Sequence, residues 1–313
     1  RAFGFGCVSF FAGDYRVAGE PLQLAAEHFQ RHPVDDPEEA LLLPHDHTVI
    51  ALAQHAILLW ITGHSQQARD AGEQAITRAA TLRFPQGPFS MAYAKRFLTW
   101  IHLFGGDYGS AARLASDVRE IGQRHGFAHW EIAGEIYLAL AQYRIGGRPD
   151  AADTIDQQIA RWKLAGGRVF LPHALAAAAD TRAAMGQHER ASAGFDMAGK
   201  LAEQTGVYFY EAERLRMRAR ALPSPREEAV ATLLAAWELA HQQGALIFEL
   251  RAALDLAGFA APGWAMRLDS VVRRFPPGAE YPELMRAQAL LTRAMGAARV
   301  PGSSLRRPAD PLA

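Results

Sequence analysis

The stretch FGGDYGSAARLASDV, Phe104 to Val118, places a glycine at 106 five residues ahead of an alanine at 111. The same pairing recurs as GDYRVA (Gly13 to Ala18), GHSQQA (Gly63 to Ala68), GRPDAA (Gly147 to Ala152) and GQHERA (Gly186 to Ala191). SPREEA (Ser224 to Ala229) fits with serine in the glycine's place. These turn positions are 50, 43, 41, 39 and 38 residues apart. A second series, Gly126, Gly166, Gly206 and Gly244, is spaced by 40, 40 and 38. Two interleaved sets of breakers with one shared period define a unit of two helices.

The intervening segments are helical in character. AHWEIAGEIYLALAQYRI (Ala128 to Ile145) and LPHALAAAADTRAAM (Leu171 to Met185) are rich in Ala, Leu and Glu, with apolar residues at three- and four-residue steps. Helices of about 16 residues would span about 24 Å. Glycine suits the reversal between two antiparallel helices, because the residue past a helix end often turns left-handed and only glycine does so cheaply. Asp107 or Ser110 is expected to cap the following helix, with Ser65 and Ser224 acting likewise. The alanine five residues after each turn lets the paired helices approach closely. A small residue seven positions further on repeats at Ala25, Ala75, Ala198 and Ala236, whereas Val118 and Ile159 break that pattern.

A glycine turn with small residues at plus five and plus twelve resembles the tetratricopeptide repeat, and GDY in two copies strengthens the resemblance. Ordinary copies are shorter, so these units carry longer helices. The expected fold is all-α, a right-handed alpha-solenoid of tetratricopeptide-like hairpins with a period of about 40 residues. Residues 1–40 are expected to hold a partial first repeat and connector, 41–295 the array, and 296–313 a disordered tail or linker. The short, proline-interrupted segment Gly258 to Gly263 implies an irregular last repeat.

Composition narrows the function. Half of the 313 residues are hydrophobic, enough for a substantial core. Lys+Arg and Asp+Glu balance at 33 each, which argues against a broad nucleic-acid footprint. The single cysteine, Cys7, rules out an intramolecular disulfide and a cysteine-rich metal site. No apolar run is long enough to span a membrane, the longest being VIALAQHAILLWI (Val49 to Ile61). The opening residues have no secretory pattern, so a cytoplasmic location is expected. Because the first residue is Arg, the chain reads as a fragment of a longer one.

Three stretches go beyond a generic repeat: LPHDHTVIALAQHAILLWITGHSQQA (Leu43 to Ala68), YFYEAERLRMRARAL (Tyr208 to Leu222) and AWELAHQQGALIFELRAALDLA (Ala236 to Ala257). In order and spacing they resemble the C-terminal tetratricopeptide region of bacterial multidomain signalling ATPases. In those proteins an adenylate/guanylate cyclase-like or LuxR-type DNA-binding domain is joined to an AAA/STAND ATPase. PPGAEYPELMRAQALLTRA (Pro276 to Ala294) resembles the closing segment of that group. The resemblance covers roughly residues 40 to 294, and it implies a non-catalytic sensor or protein-interaction module that regulates the attached ATPase. It implies as partners a protein or peptide, the chain's own N-terminal ATPase domain, or a small-molecule inducer. A free-standing scaffold that binds peptide or protein in its groove is the alternative. No G-x-x-x-x-G-K-[ST] occurs, and GFGCVSF at Gly4 lacks the phosphate-reaching lysine, so neither ATPase nor cyclase chemistry is assigned here.

No cofactor is expected. PHDH (Pro44 to His47) could start a metal site, but no third ligand is placed by sequence and a cap at Asp46 or Thr48 is the plainer account. The remaining histidines form no H-E-x-x-H, and the serines lie in no G-x-S-x-G elbow. Gly134, inside a helical pattern, reads as a packing notch. RLRMRAR puts Arg214 and Arg218 on one helix face and Arg216 and Arg220 on another; one face could contact a ligand, and solvated charge with Glu211 and Glu213 as partners is the plainer account. Counting back from each turn in the family's register, the first helices present Tyr93, Arg96, Trp100, Tyr137, Arg144, His173, Asp180, Arg214 and Arg218 to the concave groove. Aromatics beside arginines suit a peptide or small acidic ligand. The competing assignment makes Trp100 and Tyr137 core between repeats.

Overall fold

A computed structural model describes residues 2–32, 44–164 and 167–298. Its described residues form fifteen helices and no strand. They pair as α1 (Ala2–Phe11) with α2 (Tyr15–Arg31), α3 (His47–Ile61) with α4 (Ser65–Thr81), and α5 (Gln86–Gly105) with α6 (Tyr108–His125). Next come α7 (Ala128–Gly146) with α8 (Ala151–Leu164), α9 (Leu171–Ala184) with α10 (His188–Thr205), and α11 (Glu211–Ala221) with α12 (Arg226–Gln243). The last are α13 (Leu246–Gly258), a short α14 (Trp264–Val272) and α15 (Pro282–Ala298). The expected tail begins inside α15, and its remainder, 299–313, lies outside the described residues, as do 33–40 of the connector and Gly166.

The glycines act where expected. Gly13, Gly63, Gly106, Gly147 and Gly186 all have positive φ, as do Gly126, Gly206 and Gly244 of the second series. All six alanines at plus five are buried, and so are Ala25, Ala75, Ala198 and Ala236; Val118 and Ile159 fill the same position with larger side chains. Replacing Ala111 with Leu is expected to cost about 1–3 kcal/mol by overpacking α5 against α6. Equilibrium denaturation that leaves the midpoint where it was would contradict that packing. Asp107 caps α6, accepting from Ser110 N at 3.0 Å, and Asp14 of the other GDY copy caps α2 at 3.2 Å. Ser65 and Ser224 do not cap. The Ser65 hydroxyl accepts from Glu280 N at 2.9 Å, while α12 begins after Pro225 with no side-chain cap bond.

First and second helices differ in environment. α9 buries all but Asp180 and Ala184, whereas α10 buries only Ala191, Phe195, Ala198 and Ala202. From α3 to α15 the odd-numbered helices pack successively on one another and form the inner layer of an α-solenoid. The last hairpin is irregular as expected: α13 stops at Gly258, and Gly263 (φ 71°) starts the nine-residue α14.

A solenoid is expected to contact itself only between neighbouring repeats. This one also closes on itself. Tyr15 donates its hydroxyl to Phe209 O, and the Tyr208 and Phe209 amides donate to Phe11 O at 2.8 and 3.1 Å. Further along, Tyr281 donates to Trp60 O at 2.7 Å, Arg69 pairs with Glu280 at 2.7 Å, and α13 packs against α3. The turn glycines 13 and 63 serve this closure too, since a Cβ there would meet Gln243 Nε2 at 2.4 Å and Leu246 Cδ2 at 2.9 Å. One hydrophobic core runs from Phe10 to Leu291, so the first hairpin belongs to the array.

Candidate functional site

Closure fills the middle of the molecule with aromatic rings. Trp100 stacks on Phe209 with centroids 5.2 Å apart, and Phe10 stacks on the same ring at 5.8 Å. Arg96, 0% exposed, lies between the rings of Trp100 and Phe170, its Cζ 4.1 and 3.5 Å from their centroids. It donates to Tyr137 Oη at 3.3 Å and has no carboxylate partner among the described residues. Burial lowers its pKa, against the partial support of Tyr137. Tyr137 in turn lies 3.4 Å from His173 Nδ1. Burial first, and the Arg96 charge second, push His173 down to about 3, so its imidazole is neutral at neutral pH.

Four expected groove residues are therefore not on an open surface. Tyr93, Arg96, Trp100 and Tyr137 are interior, Tyr93 accepting from Gln54 Nε2 at 2.8 Å. The physical reasons are packing by neighbouring repeats and the closure: Tyr93 is covered by His45, Phe97 and Trp130, Arg96 and Trp100 by Phe170, and Trp100 also by Phe209 from the closing segment. Arg214 and Arg218 also face elsewhere. Arg214 pairs with Glu211 and donates to Phe195 O at 3.1 Å, and Arg218 pairs with Asp196, so both turn towards α10.

The other three, Arg144, His173 and Asp180, come together in the wall of a cavity of about 810 Å³ on the inner layer. Arg144 and Asp180 form an ion pair between α7 and α9. The cavity spans α5 to α15, and its charged floor is built by the opposite face of α11. Arg216 binds Glu213 through Nε at 2.7 Å and Nη2 at 2.8 Å, and reaches Asp255 at 2.6 Å. Arg251 meets Glu213 at 3.1 Å and Glu283 at 2.7 Å. It also donates to Phe104 O, and its guanidinium stands 5.4 Å from the Trp60 ring. Burial alone would raise the Glu213 carboxyl, but Arg216 and Arg251 outweigh it and hold the group down at about 2.

Glu213, Arg216, Arg251, Asp255 and Glu283 were not legible as site residues. One signal was present: Arg251 and Asp255 sit four apart in LIFELRAALDLAG, whose other residues apart from Glu249 are apolar. Charges in a buried helix are almost always paired, and a pair must be sought on the neighbouring first helix.

The earlier candidates resolve simply. Asp46 caps α3, accepting from Val49 N at 2.9 Å, and binds Arg78 at 2.8 Å, while His45 and His47 pack against aromatic rings. No group of three or more His, Cys, Asp or Glu side chains is arranged to hold a metal among the described residues. GFGCVSF lies within α1, and burial pushes the Cys7 thiol up to about 12. No described helix is long and apolar enough to cross a membrane.

This architecture defines the chain as a helical-repeat protein, and solved structures agree. The crystal structure of the apo form of RapI is similar with a TM-score of 0.54 at 10% identity, covering 95% of this chain and 98% of that one. Aspartyl phosphate phosphatase F from Bacillus subtilis is similar with a TM-score of 0.52 at 13% identity, covering 87% of this chain and 69% of that one. At such identities the likeness is one of fold. No protein-family model and no curated protein matches the chain.

Proposed function

We propose that this chain is a non-catalytic binding module that takes a protein or peptide segment into the inner cavity and passes its occupancy to an attached output. The observation that carries this reading is the cavity itself. At about 810 Å³ it lies within the range of about 300–1,000 Å³ usual for ligand clefts, and apolar walls meet convergent charged groups there. Arg251 supplies a route for coupling. It lines the cavity and also holds α13 to α5 and α3, so a ligand that binds one arrangement of these helices better shifts the closed state's population. That the output is a signalling ATPase rests on the resemblance of residues 43–68, 208–222 and 236–257. Sequence encoded upstream of Arg1 separates an attached ATPase from a free-standing scaffold.

Ala184 is exposed and lines the cavity, so a bulky side chain there enters the cavity without disturbing the core. The full chain, immobilised, is expected to retain members of a random heptapeptide library, and Ala184→Trp to reduce that retention at least tenfold with an unchanged melting curve. Undiminished retention by the folded variant would place binding elsewhere, and no retention by the wild type would end the reading.

A further inference from the structure

We infer that the cavity selects a monoanion, a carboxylate borne on an apolar body; this rests on the binding role proposed above. The lining holds five guanidinium groups, Arg144, Arg216, Arg220, Arg251 and Arg286, against four carboxylates, Asp180, Glu213, Asp255 and Glu283. His173 adds no charge, because burial and Arg96 keep it neutral. One positive charge is left over, and the ion pairs show where it resides. Arg144 is taken by Asp180, while Arg216 and Arg251 share Glu213 and also engage Asp255 and Glu283. Arg220, its side chain 56% exposed, reaches Asp255 only at 3.5 Å. Arg286 is exposed and, among the described residues, has no ion pair. The uncompensated charge therefore sits at the rim formed by α11 and α15.

A single carboxylate neutralises this excess and matches the planar guanidinium fork with paired hydrogen bonds. A phosphate monoester, with close to two negative charges at neutral pH, would leave a net negative charge in a partly desolvated site, which is costly. The body of the ligand is set by the apolar part of the lining, where Leu103, Leu140, Met217 and Leu254 stand beside Phe104, Tyr108 and Tyr210. Two sources carry this chemistry, the C-terminus of a peptide ending in apolar residues and a free apolar acid.

The test is calorimetric titration of the full chain with N-acetyl-Leu-Leu-Val as free acid and as amide, with hexanoate, and with hexyl phosphate. The free-acid peptide or hexanoate is expected to bind, the amide and the phosphate at least tenfold more weakly. Arg220→Gln combined with Arg286→Gln, both exposed positions, should remove at least tenfold of the acid's affinity with the circular dichroism unchanged. Equal binding of acid and amide would overturn the monoanion and leave the peptide-binding role standing. Hexanoate binding without binding of the peptide would uphold the monoanion and assign it to a free acid. Tighter binding of the phosphate, full affinity in the double variant, or no binding of any of the four compounds would each sink the inference, and library retention judges the role separately.

Discussion

Gly134→Ala is expected to destabilise the protein by about 3 kcal/mol, at the upper end of the overpacking range, and Gly134→Leu to prevent folding. A Cβ at Gly134 would stand 2.4 Å from Arg119 N, 2.7 Å from Arg119 Cα and 2.8 Å from Ala115 O. One turn away the same crossing is tightened from the other side, where a Cβ on Gly122 would meet Glu131 N at 2.3 Å. Every one of these neighbours is backbone, so relief requires α6 and α7 to move apart rather than a side chain to change rotamer. Separation would open the packing of both helices against their neighbours. Gly146, at the end of α7, is the control: a Cβ there meets nothing within 4 Å, so alanine should be neutral or stabilising by less than about 1 kcal/mol. Urea denaturation of the two alanine variants decides the matter, and similar midpoints would refute the close crossing.

Glu213→Gln should cost about 3 kcal/mol, the lower end of the usual penalty for breaking a buried pair, because Arg216 keeps Asp255 and Arg251 keeps Glu283. Here two cations lose it, Arg216 and Arg251, and both lie in the cavity floor. The pH dependence follows from the depressed carboxyl. Its folded value, about 2, lies below the ordinary 4.5, so the unfolded chain takes up the proton first as acid is added. The wild-type advantage over Glu213→Gln is therefore full above about pH 4.5 and disappears as the pH falls through about 2. Chemical denaturation of both proteins across that window measures it. A gap that stayed constant with pH would show that the pairing is not the source of the stability.

Both effects arise at helix contacts, but they differ in how far they could be read in advance. Gly134 was visible as a glycine breaking a strong helical pattern, and a packing notch was the natural reading. Glu213 looked like an exposed partner of a neighbouring arginine. Its burial depends on α13 delivering Arg251, and α15 delivering Glu283, to the same place. Nothing local to YFYEAERLRMRARAL records that encounter. The groove assignment failed for a related reason. The family register put Arg144, His173 and Asp180 in a concave groove and treated the inner layer as open, whereas they line the cavity. The contacts between residues 11–16 and 208–241 bring Phe209 onto Trp100, and Phe170 and Trp100 in turn enclose Arg96. On α11 the register selected Arg214 and Arg218, whereas the cavity takes the opposite face, Arg216 and Arg220.

What the sequence by itself determined is the hairpin and its stacking. Glycines with positive φ and alanines at plus five are demands of local backbone geometry and of one neighbouring helix, and both repeat along the chain at a readable period. What only the tertiary structure decided is the closure of the array and the cavity it leaves. Those depend on small rotations summed over several repeats, which bring together residues about two hundred positions apart, such as Tyr15 with Phe209 and Trp60 with Tyr281. A periodic pattern specifies each step, while the place where the ends meet is a property of the sum.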